Sequence, residues 1–318
     1  MLITSVEFLI LDNSFPFVLI KTDDGITGIG ECFRRQPKIT KTVVEELLAP
    51  AIIGKSPLQT AARFQDMTSA GDASEIGGAI WIGIAGLDIA MWDLKGKALG
   101  VPIYDLLGGK VRDEMPVYAS SMKRDMTPLE EAKRALYFVE QGYKSYKLHS
   151  AVPGKIDHPA DQTIETVAEV RKAVGDETNI LVDVNGAYSV HHAIEIGKQL
   201  EQLGVFHFEE PRPHDDLLGL SRVAEALTIP IASGENIYTP QQYIDLMKIG
   251  QVDIIQPDIV KTPGFTTMIK ISHIAEEFGI PITCHNTQPT ISTVAHAHFV
   301  ASTPVSYTHL TLPTNREV

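Results

Sequence analysis

The sequence predicts an α/β protein in which a small α+β domain precedes a parallel β/α barrel. From Met115 onward, short apolar runs alternate with amphipathic segments of helix length, which gives seven consecutive βα units. Seven such units in a row favour a closed barrel over an open, doubly wound sheet. No glycine-rich loop of the dinucleotide or Walker type follows any of these runs, so nucleotide chemistry is not favoured.

Residues 1–112 are predicted to form the α+β domain. The segment 17–33 is typical of a hairpin, because two runs rich in Val, Ile and Thr flank the turn sequence Asp23-Asp24-Gly25. Gly100 and Pro102 mark the end of the last helix of this domain. Apolar residues three and four apart predict its helices over residues 42–53, 58–67 and 79–99.

Residues 113–304 are predicted to form the barrel, with one strand in each apolar run. Because the runs are apolar on both faces and are separated by helices, they indicate a parallel sheet whose strands all point the same way. The predicted strands cover residues 116–120, 145–149, 180–183, 205–209, 229–235, 252–258 and 280–285.

Composition narrows the function classes. The 27 Lys and Arg residues against 40 Asp and Glu give a net charge of −13, which argues against a nucleic-acid partner. Two cysteines cannot build a disulfide framework or a cysteine zinc site, and residues 1–30 lack the pattern of a signal peptide. The longest uncharged apolar run, 76–87, is too short to span a bilayer. We therefore expect a cytoplasmic protein without a membrane partner.

Three of the predicted strands end in a carboxylate, namely Asp183, Glu209 and Glu235, and one βα unit separates each from the next. In a parallel barrel these strand ends meet at the C-terminal mouth. Crowded like charges resist ionisation unless a cation holds them, and hard oxygen ligands without cysteine suit Mg²⁺. Each carboxylate could instead be a solvated strand end or a helix cap, but three in register favour a metal site.

The next two strand ends carry Asp258 and His285. Neighbouring strands can bring these side chains within hydrogen-bond distance, so that Asp258 orients the imidazole and raises its basicity. A single histidine is more often structural. The position of His285 at the mouth, beyond the candidate metal ligands, favours a catalytic role.

The second strand delivers Lys147 and His149, which alternate onto one face and can both point into the barrel. An inward lysine is costly unless it meets a carboxylate or takes part in chemistry, and partial burial lowers a lysine pKa. For Lys147 the alternative is a salt bridge to a metal carboxylate. For His149 it is a polar filler or a hydrogen bond to substrate.

These residues resemble the enolase superfamily, in its mandelate racemase and muconate lactonizing subgroups. The signature stretch is residues 86–109, which read GLDIAMWDLKGKALGVPIYDLLGG. Together the motifs are specific and cover almost the whole chain, although any one alone is weak. They follow in the family's order: Lys-x-His at 147–149, Asp-Val-Asn at 183–185, Glu-Glu-Pro at 209–211, Gly-Glu-Asn at 234–236, Gln-Pro-Asp at 256–258, and His285-Asn286.

The resemblance implies a modified TIM barrel of the (β/α)7β type with Asp183, Glu209 and Glu235 as Mg²⁺ ligands. It also implies that Asp258 and His285 form the acid/base dyad that marks the mandelate racemase side of the superfamily. The substrate would be a small-molecule carboxylate, whose α-proton is removed through an enediolate intermediate.

By the same resemblance, residues 1–112 are a capping domain whose loops close over the mouth and choose the substrate. Asn185 and Asn236 stand beside the metal ligands in the matched motifs and are candidates for substrate binding. Arg34, in the capping domain, is a third candidate. Together with Arg35 and Lys38 it could meet a distal carboxylate, or the three could form a solvated basic patch.

The chain departs from the family at His149, because the second strand commonly carries Lys-x-Lys. A racemase needs a base on each face of the α-carbon, whereas a dehydratase needs one acid and one base. We therefore expect a sugar-acid dehydratase, with Lys147 or His149 as base and His285 as acid, or the reverse. The alternatives are a racemase or epimerase of a hydroxy acid or amino-acid derivative, and a non-catalytic metal-binding protein.

A second departure lies at the end of the chain. Residues 305–318 do not resemble the family's eighth strand and returning segment, and read like translated sequencing-adapter sequence. We expect a native sequence truncated near Pro304, a non-native tail over 305–318 and a missing eighth strand; the alternative is a genuine divergent tail. The full-length protein is expected to be a homo-oligomer.

Overall fold

The computed structural model describes residues 1–72, 77–305 and 310–313. The N-terminal part contains β1 (Ile3–Leu11), β2 (Phe15–Thr22), β3 (Thr27–Glu31), α1 (Pro37–Val43), a π-helical turn (Val44–Leu48), α2 (Ala49–Ile52), α3 (Thr60–Asp72), α4 (Gly78–Leu99) and α5 (Ile103–Leu106). The barrel part contains β4 (Val117–Ser120), α6 (Pro128–Glu140), β5 (Ser145–His149), α7 (Thr163–Val174), β6 (Asn179–Asp183), α8 (Val190–Gln202), β7 (His207–Glu209), α9 (Leu217–Ala226), β8 (Ile231–Ser233), α10 (Pro240–Lys248), β9 (Ile254–Ile255), α11 (Gly264–Phe278), α12 (Ile291–Ser302) and β10 (Leu310–Pro313).

The N-terminal part is an antiparallel sheet of order β1-β2-β3 packed against helices. The predicted hairpin is confirmed as β2 and β3, whereas β1 was not predicted. The turn between β1 and β2 places Asp12 and Asn13 at positive φ, 49° and 57°, which is the backbone of a tight hairpin turn. An Asp-Asn pair is a weaker signal for that turn than Asn-Gly, so the first strand was not recognised.

Helix α4 carries the signature stretch and packs closely on β3. A Cβ built on Gly30 would lie 1.9 Å from the carbonyl oxygen of Gly86. Only glycine therefore allows the strand and the helix backbones to approach so closely. The resulting contact buries an apolar cluster that is separate from the barrel core. The domain boundary at residue 112 stays a prediction.

The barrel strands form one parallel sheet of order β10-β4-β5-β6-β7-β8-β9. Six of the seven predicted strands are confirmed, although β4, β7, β8 and β9 are shorter than their apolar runs. The seventh run contributes a single parallel bridge between Ile255 and Ile282. Pro281 explains the brevity of this strand, because its nitrogen has no proton to donate to the sheet.

The structure corrects the expectation of a missing eighth strand. Strand β10 lies parallel to β4, with Leu310 paired to Val117. Just before it, Ile282 donates a backbone hydrogen bond of 3.0 Å to the carbonyl oxygen of Val305. Residues 310–313 thus occupy the edge that an eighth strand would fill. The rest of the predicted tail, 306–309 and 314–318, lies outside the described residues.

Two buried carboxylates from the N-terminal part cap the N-termini of the last two barrel helices, α11 and α12. Asp88 of α4 accepts hydrogen bonds from Thr266 in the first turn of α11. Glu31, at the end of β3, accepts a hydrogen bond of 2.7 Å from the backbone nitrogen of Ser292 in α12. A carboxylate at a helix N-terminus accepts hydrogen bonds from N–H groups that have no partner within the helix. These contacts fix the N-terminal part over the C-terminal half of the barrel.

Across the residues that the structure describes, no helix combines the length and the apolar character needed to cross a membrane.

Candidate active site

The strand register brings three predicted site residues side by side. His149 pairs with Asp183 across β5 and β6, and Asp183 pairs with Glu209 across β6 and β7. Glu235 lies just beyond the end of β8. One ligand oxygen each from Asp183, Glu209 and Glu235 lies within 4.8 Å of the others, and all three side chains are buried. The predicted convergence of the carboxylates at the barrel mouth is confirmed.

These three carboxylates, called the acidic triad below, fit a divalent cation. The Oε2 atom of Glu209 is buried and has no hydrogen-bond partner among the described residues, which is costly for a charged oxygen. Three hard oxygens in a buried cluster, without sulfur, match the preference of Mg²⁺. The triad residues could therefore hold a Mg²⁺ ion.

Lys147 supplies positive charge directly behind the triad. Its Nζ lies 2.6 Å from Glu209 Oε1 and 3.3 Å from Asp183 Oδ2, and the side chain is 1% exposed. Burial alone would lower the pKa of Lys147, but Glu209 and Asp183, with Tyr118, outweigh it and raise the pKa well above its ordinary value. The expectation that burial brings this pKa down is therefore wrong. Lys147 forms the salt bridge considered as its alternative.

For the carboxylate of Asp183, burial alone would raise the pKa. The neighbouring Lys147 and His149 outweigh burial and hold the pKa of Asp183 below its ordinary value. His149 contributes through its Nε2, which lies 3.0 Å from Asp183 Oδ2. Its Nδ1 forms a hydrogen bond with the carbonyl oxygen of Ser121, just past the first barrel strand. This contact with a carbonyl requires a proton on Nδ1, which leaves Nε2 as the nitrogen that faces the site.

On the opposite side of the triad, Asp258 and His285 form the predicted pair. Nδ1 of His285 lies 2.7 Å from Asp258 Oδ2, and its Nε2 lies 2.8 Å from Glu235 Oε2. Burial opposes a charge on the imidazole, but Glu235 and Asp258 outweigh it and raise the pKa of His285 to about 9. Asp258 is itself fixed by the backbone nitrogen of Val260, at 3.1 Å.

The two predicted asparagines orient carboxylates. Asn185, which has a left-handed backbone (φ 42°), donates its backbone N–H to Asp183 Oδ1 at 2.9 Å. The amide nitrogen of Asn236 lies 3.1 Å from Glu235 Oε1 and 3.1 Å from Glu210 Oε1. Both asparagines also line the cavity described below. Their role in substrate binding stays a prediction.

Sequence reasoning missed Glu210 and Lys261. Burial, followed by repulsion from Glu235 and the other triad residues, raises the pKa of Glu210 well above its ordinary value. The Nζ of Lys261 lies 3.5 Å from Glu235 Oε1 and 4.6 Å from the ring centre of Phe33. Glu210 is the middle residue of the matched motif at 209–211, and Lys261 lies three residues after the motif at 256–258. Their closeness to these motifs was the available signal.

A cavity of about 450 Å³ brings the barrel mouth and the N-terminal part together. His149 and His285 both line it, whereas Lys147 is not among its described lining residues. The N-terminal part contributes Phe33, Arg34 and Arg35, which follow strand β3. Arg34, a predicted substrate-binding residue, thus lines the cavity, and its role in substrate binding stays a prediction. Its backbone nitrogen donates to Gln288 Oε1, at 2.7 Å.

Known families match both parts of the chain. The family described as mandelate racemase / muconate lactonizing enzyme, N-terminal domain, matches residues 9–108, and the enolase C-terminal domain-like family matches residues 129–316. An arabinonate dehydratase of Saccharolobus solfataricus is 32% identical over 287 residues, which are 89% of this chain and 75% of that protein. A D-xylonate dehydratase of Haloferax volcanii is 31% identical over 320 residues, and the match covers 96% of this chain and 77% of that protein.

A solved structure shares the fold over nearly the whole chain. The mandelate racemase/muconate lactonizing protein from Paracoccus denitrificans PD1222, complexed with magnesium, superposes with a TM-score of 0.91. Its sequence is 32% identical, and the match covers 98% of this chain and 86% of that one. The order of motifs, the capped barrel and these matches agree. The chain belongs to the mandelate racemase / muconate lactonizing enzyme family of the enolase superfamily.

Proposed function

We propose that the chain is a Mg²⁺-dependent dehydratase of a sugar acid, a small carboxylate with hydroxyl groups at C2 and C3. The observation that carries this proposal is the position of two imidazoles on opposite sides of the acidic triad. Nε2 of His149 lies 3.0 Å from Asp183, and Nε2 of His285 lies 2.8 Å from Glu235. Both rings line the cavity, so both can reach one substrate.

Asp183, Glu209 and Glu235 would hold the metal. Bound there, Mg²⁺ would supply positive charge where negative charge develops on the substrate carboxylate. Lys147 serves the same electrostatic purpose from the protein side, because its ammonium group already neutralises two triad oxygens. A lysine held charged between two carboxylates is a poor base. We therefore assign the basic role to His149 rather than to Lys147.

The reaction needs one base and one acid. Proton removal requires His149 in its neutral form, with its proton on Nδ1. Nε2 of that form removes the proton from C2 of the sugar acid. The electron pair of the broken C–H bond first moves into the substrate carboxylate and gives an enediolate. In a second step this electron pair forms the C2–C3 double bond as the C3–O bond breaks. His285 delivers its proton to the departing hydroxyl, which leaves as water, and the remaining enol becomes a 2-oxo-3-deoxy acid. Asp258 keeps the His285 ring in place through the 2.7 Å contact to Nδ1.

The named relatives support a sugar acid as substrate, because the arabinonate and D-xylonate dehydratases both act on such acids. The same two imidazoles could also exchange the C2 proton between opposite faces, which is the racemase or epimerase alternative. A non-catalytic metal-binding protein is the alternative from another class. A cytoplasmic location and a homo-oligomeric state stay predictions.

Incubating the purified protein and Mg²⁺ with a panel of sugar acids tests the proposal. We expect at least one acid to give a 2-oxo-3-deoxy product, visible by proton NMR and as a semicarbazone, and we expect EDTA to stop the reaction. Recovery of the C2 epimer without loss of water would instead favour the racemase. An unchanged panel, together with normal Mg²⁺ binding, would favour the non-catalytic protein.

A further inference from the structure

Three arginines meet at one side of the active-site cavity. Arg34 and Arg35 come from the segment after β3 in the N-terminal part, and Arg124 comes from the segment after the first barrel strand, β4. Arg35 and Arg124 lie close enough to repel each other, although they belong to different parts of the chain. Like charges gathered around a cavity are unfavourable unless an anion joins them.

These guanidinium groups have few partners among the described residues. The Nε atom of Arg124 is buried without a hydrogen-bond partner, while one terminal nitrogen donates to the side-chain oxygen of Asn185. The side chains of Arg34 and Arg35 form no ion pair within the described residues. Burial, and repulsion from Arg35, lower the pKa of Arg34. The buried Nε of Arg124, which has no hydrogen-bond partner among the described residues, is a donor available to a ligand in the cavity.

The nearby carboxylates are already engaged. The charge of Glu31 attracts the Arg34 guanidinium group. Glu31 already accepts hydrogen bonds from Gln288, Thr290 and Ser292. Asp183, which acts on Arg124, lies against Lys147 and His149.

Glu235, the other carboxylate that acts on Arg124, lies against Lys261 and His285. The excess positive charge on this side of the cavity is therefore left for a ligand.

We propose that Arg34, Arg35 and Arg124 form a subsite for a second anionic group of the substrate, in addition to the carboxylate beside the acidic triad. A guanidinium fork matches a carboxylate or a phosphate through two parallel hydrogen bonds. The enzyme then prefers a sugar diacid, or a sugar acid phosphorylated at its far end, over the plain monoacid. This inference rests on the proposed function and narrows its substrate class.

The test uses matched sets of acids that differ only at the far end. Gluconate, glucarate and 6-phosphogluconate form one set, and galactonate, galactarate and 6-phosphogalactonate form another. The variants are Arg35→Gln and Arg124→Gln. The control is Lys38→Gln. Lys38 was expected to join Arg34 and Arg35 at a distal carboxylate, but it lies in α1, is exposed and is not among the described lining residues of the cavity. The readouts are kcat/KM with Mg²⁺ and binding of each acid by calorimetry.

We expect kcat/KM for the diacid or the phosphorylated acid to exceed that for the monoacid by at least tenfold, and the better of the two identifies the anionic group. Each arginine variant should lower the ratio of kcat/KM for the diacid or phosphorylated acid to kcat/KM for the monoacid about 10- to 100-fold, as expected for a charge-assisted hydrogen bond. The Lys38→Gln variant should leave this ratio unchanged. Equal or better turnover of the monoacid would overturn the inference and leave the proposed dehydratase intact.

If none of the acids reacts, the proposed function fails and binding decides the inference separately. Saturable binding of a diacid or phosphorylated acid that both arginine variants weaken at least tenfold would still support the subsite. Binding that the arginine variants leave at the strength of the Lys38→Gln control, or no binding at all, would overturn it.

Discussion

Asp88 and Thr266 join the signature helix to the barrel. Thr266 donates its backbone N–H to Asp88 Oδ2 at 3.0 Å and its hydroxyl to Asp88 Oδ1 at 2.6 Å. Asp88 is fully buried, and a Cβ on Gly264 would lie 2.4 Å from its Oδ2 atom. The carboxylate therefore caps helix α11, which follows the segment that carries Asp258. The signature stretch thus supports the active site without lining it.

Asp88 should give the protein a characteristic pH dependence of stability. Burial, opposed by the hydrogen bonds from Thr266, raises its pKa from 3.8 to about 7. Between these values the folded protein keeps a proton that the unfolded chain has released. The free energy of unfolding therefore falls as the pH rises from about 4 to about 7, by up to roughly 4 kcal/mol from this group.

Urea unfolding of wild type and Asp88→Asn across this pH range measures the effect. The unfolding free energy of wild type minus that of Asp88→Asn should fall as the pH rises from about 4 to about 7. The altered hydrogen bonds add an offset to this difference that does not depend on pH. Asp12→Asn, at an exposed hairpin turn, is the control and should follow wild type. A difference that stays flat from pH 4 to 7 would show that Asp88 keeps an ordinary pKa.

Glu31 should contribute strongly to stability, because it accepts three hydrogen bonds from the segment after His285. Their lengths are 2.6 Å from Gln288, 2.7 Å from Thr290 and 2.7 Å from Ser292. Glu31→Ala leaves these donors without their acceptor, and we expect a loss of about 3 kcal/mol or more in unfolding free energy.

The control for Glu31 is Glu7→Ala in the same sheet. Glu7 pairs with Lys21, and both side chains are 45% exposed, so we expect a loss below about 1 kcal/mol. Guanidinium unfolding at one pH compares the two variants. Equal losses would mean that the Glu31 contacts do not hold the N-terminal part to the barrel.

Glu209→Gln should weaken Mg²⁺ binding at least tenfold. The amide keeps one oxygen in place of the carboxylate but carries no charge, so the ion loses one of its three anionic ligands. Isothermal titration with Mg²⁺ measures the affinity, and circular dichroism checks the fold. Glu131→Gln is the control, because Glu131 is equally buried but accepts from Tyr146 and Ser121 outside the triad. Unchanged affinity in Glu209→Gln would remove the triad as the metal site.

The barrel and its mouth could be predicted because they depend on regular patterns. Apolar runs alternated with amphipathic segments, and the carboxylates of the triad stood at the ends of successive strands. Parallel strands bring such ends together whatever the loops do. The positions of Asp183, Glu209, Glu235, Asp258 and His285 followed from that rule, and the observed contacts agree with it.

Other features depend on contacts between distant parts of the chain, which a pattern along one segment does not contain. The meeting of Arg35 with Arg124 requires the N-terminal part to sit on the mouth. The pKa of Lys147 was predicted in the wrong direction because burial was considered without the distances to Glu209 and Asp183. Strand β10 was not expected because residues 305–318 do not resemble the family's eighth strand, although the Thr, Tyr and Leu of residues 306–312 suit a short strand.

The central claim is that His149 removes the C2 proton and His285 serves as the acid. Proton NMR in D₂O, with Mg²⁺ and an acid that wild type dehydrates, tests it directly in His285→Asn and His149→Asn. We predict that His285→Asn still exchanges the C2 proton for deuterium while elimination falls about 10²- to 10⁴-fold, and that His149→Asn loses both. Exchange that survives in His149→Asn but disappears in His285→Asn would contradict this assignment.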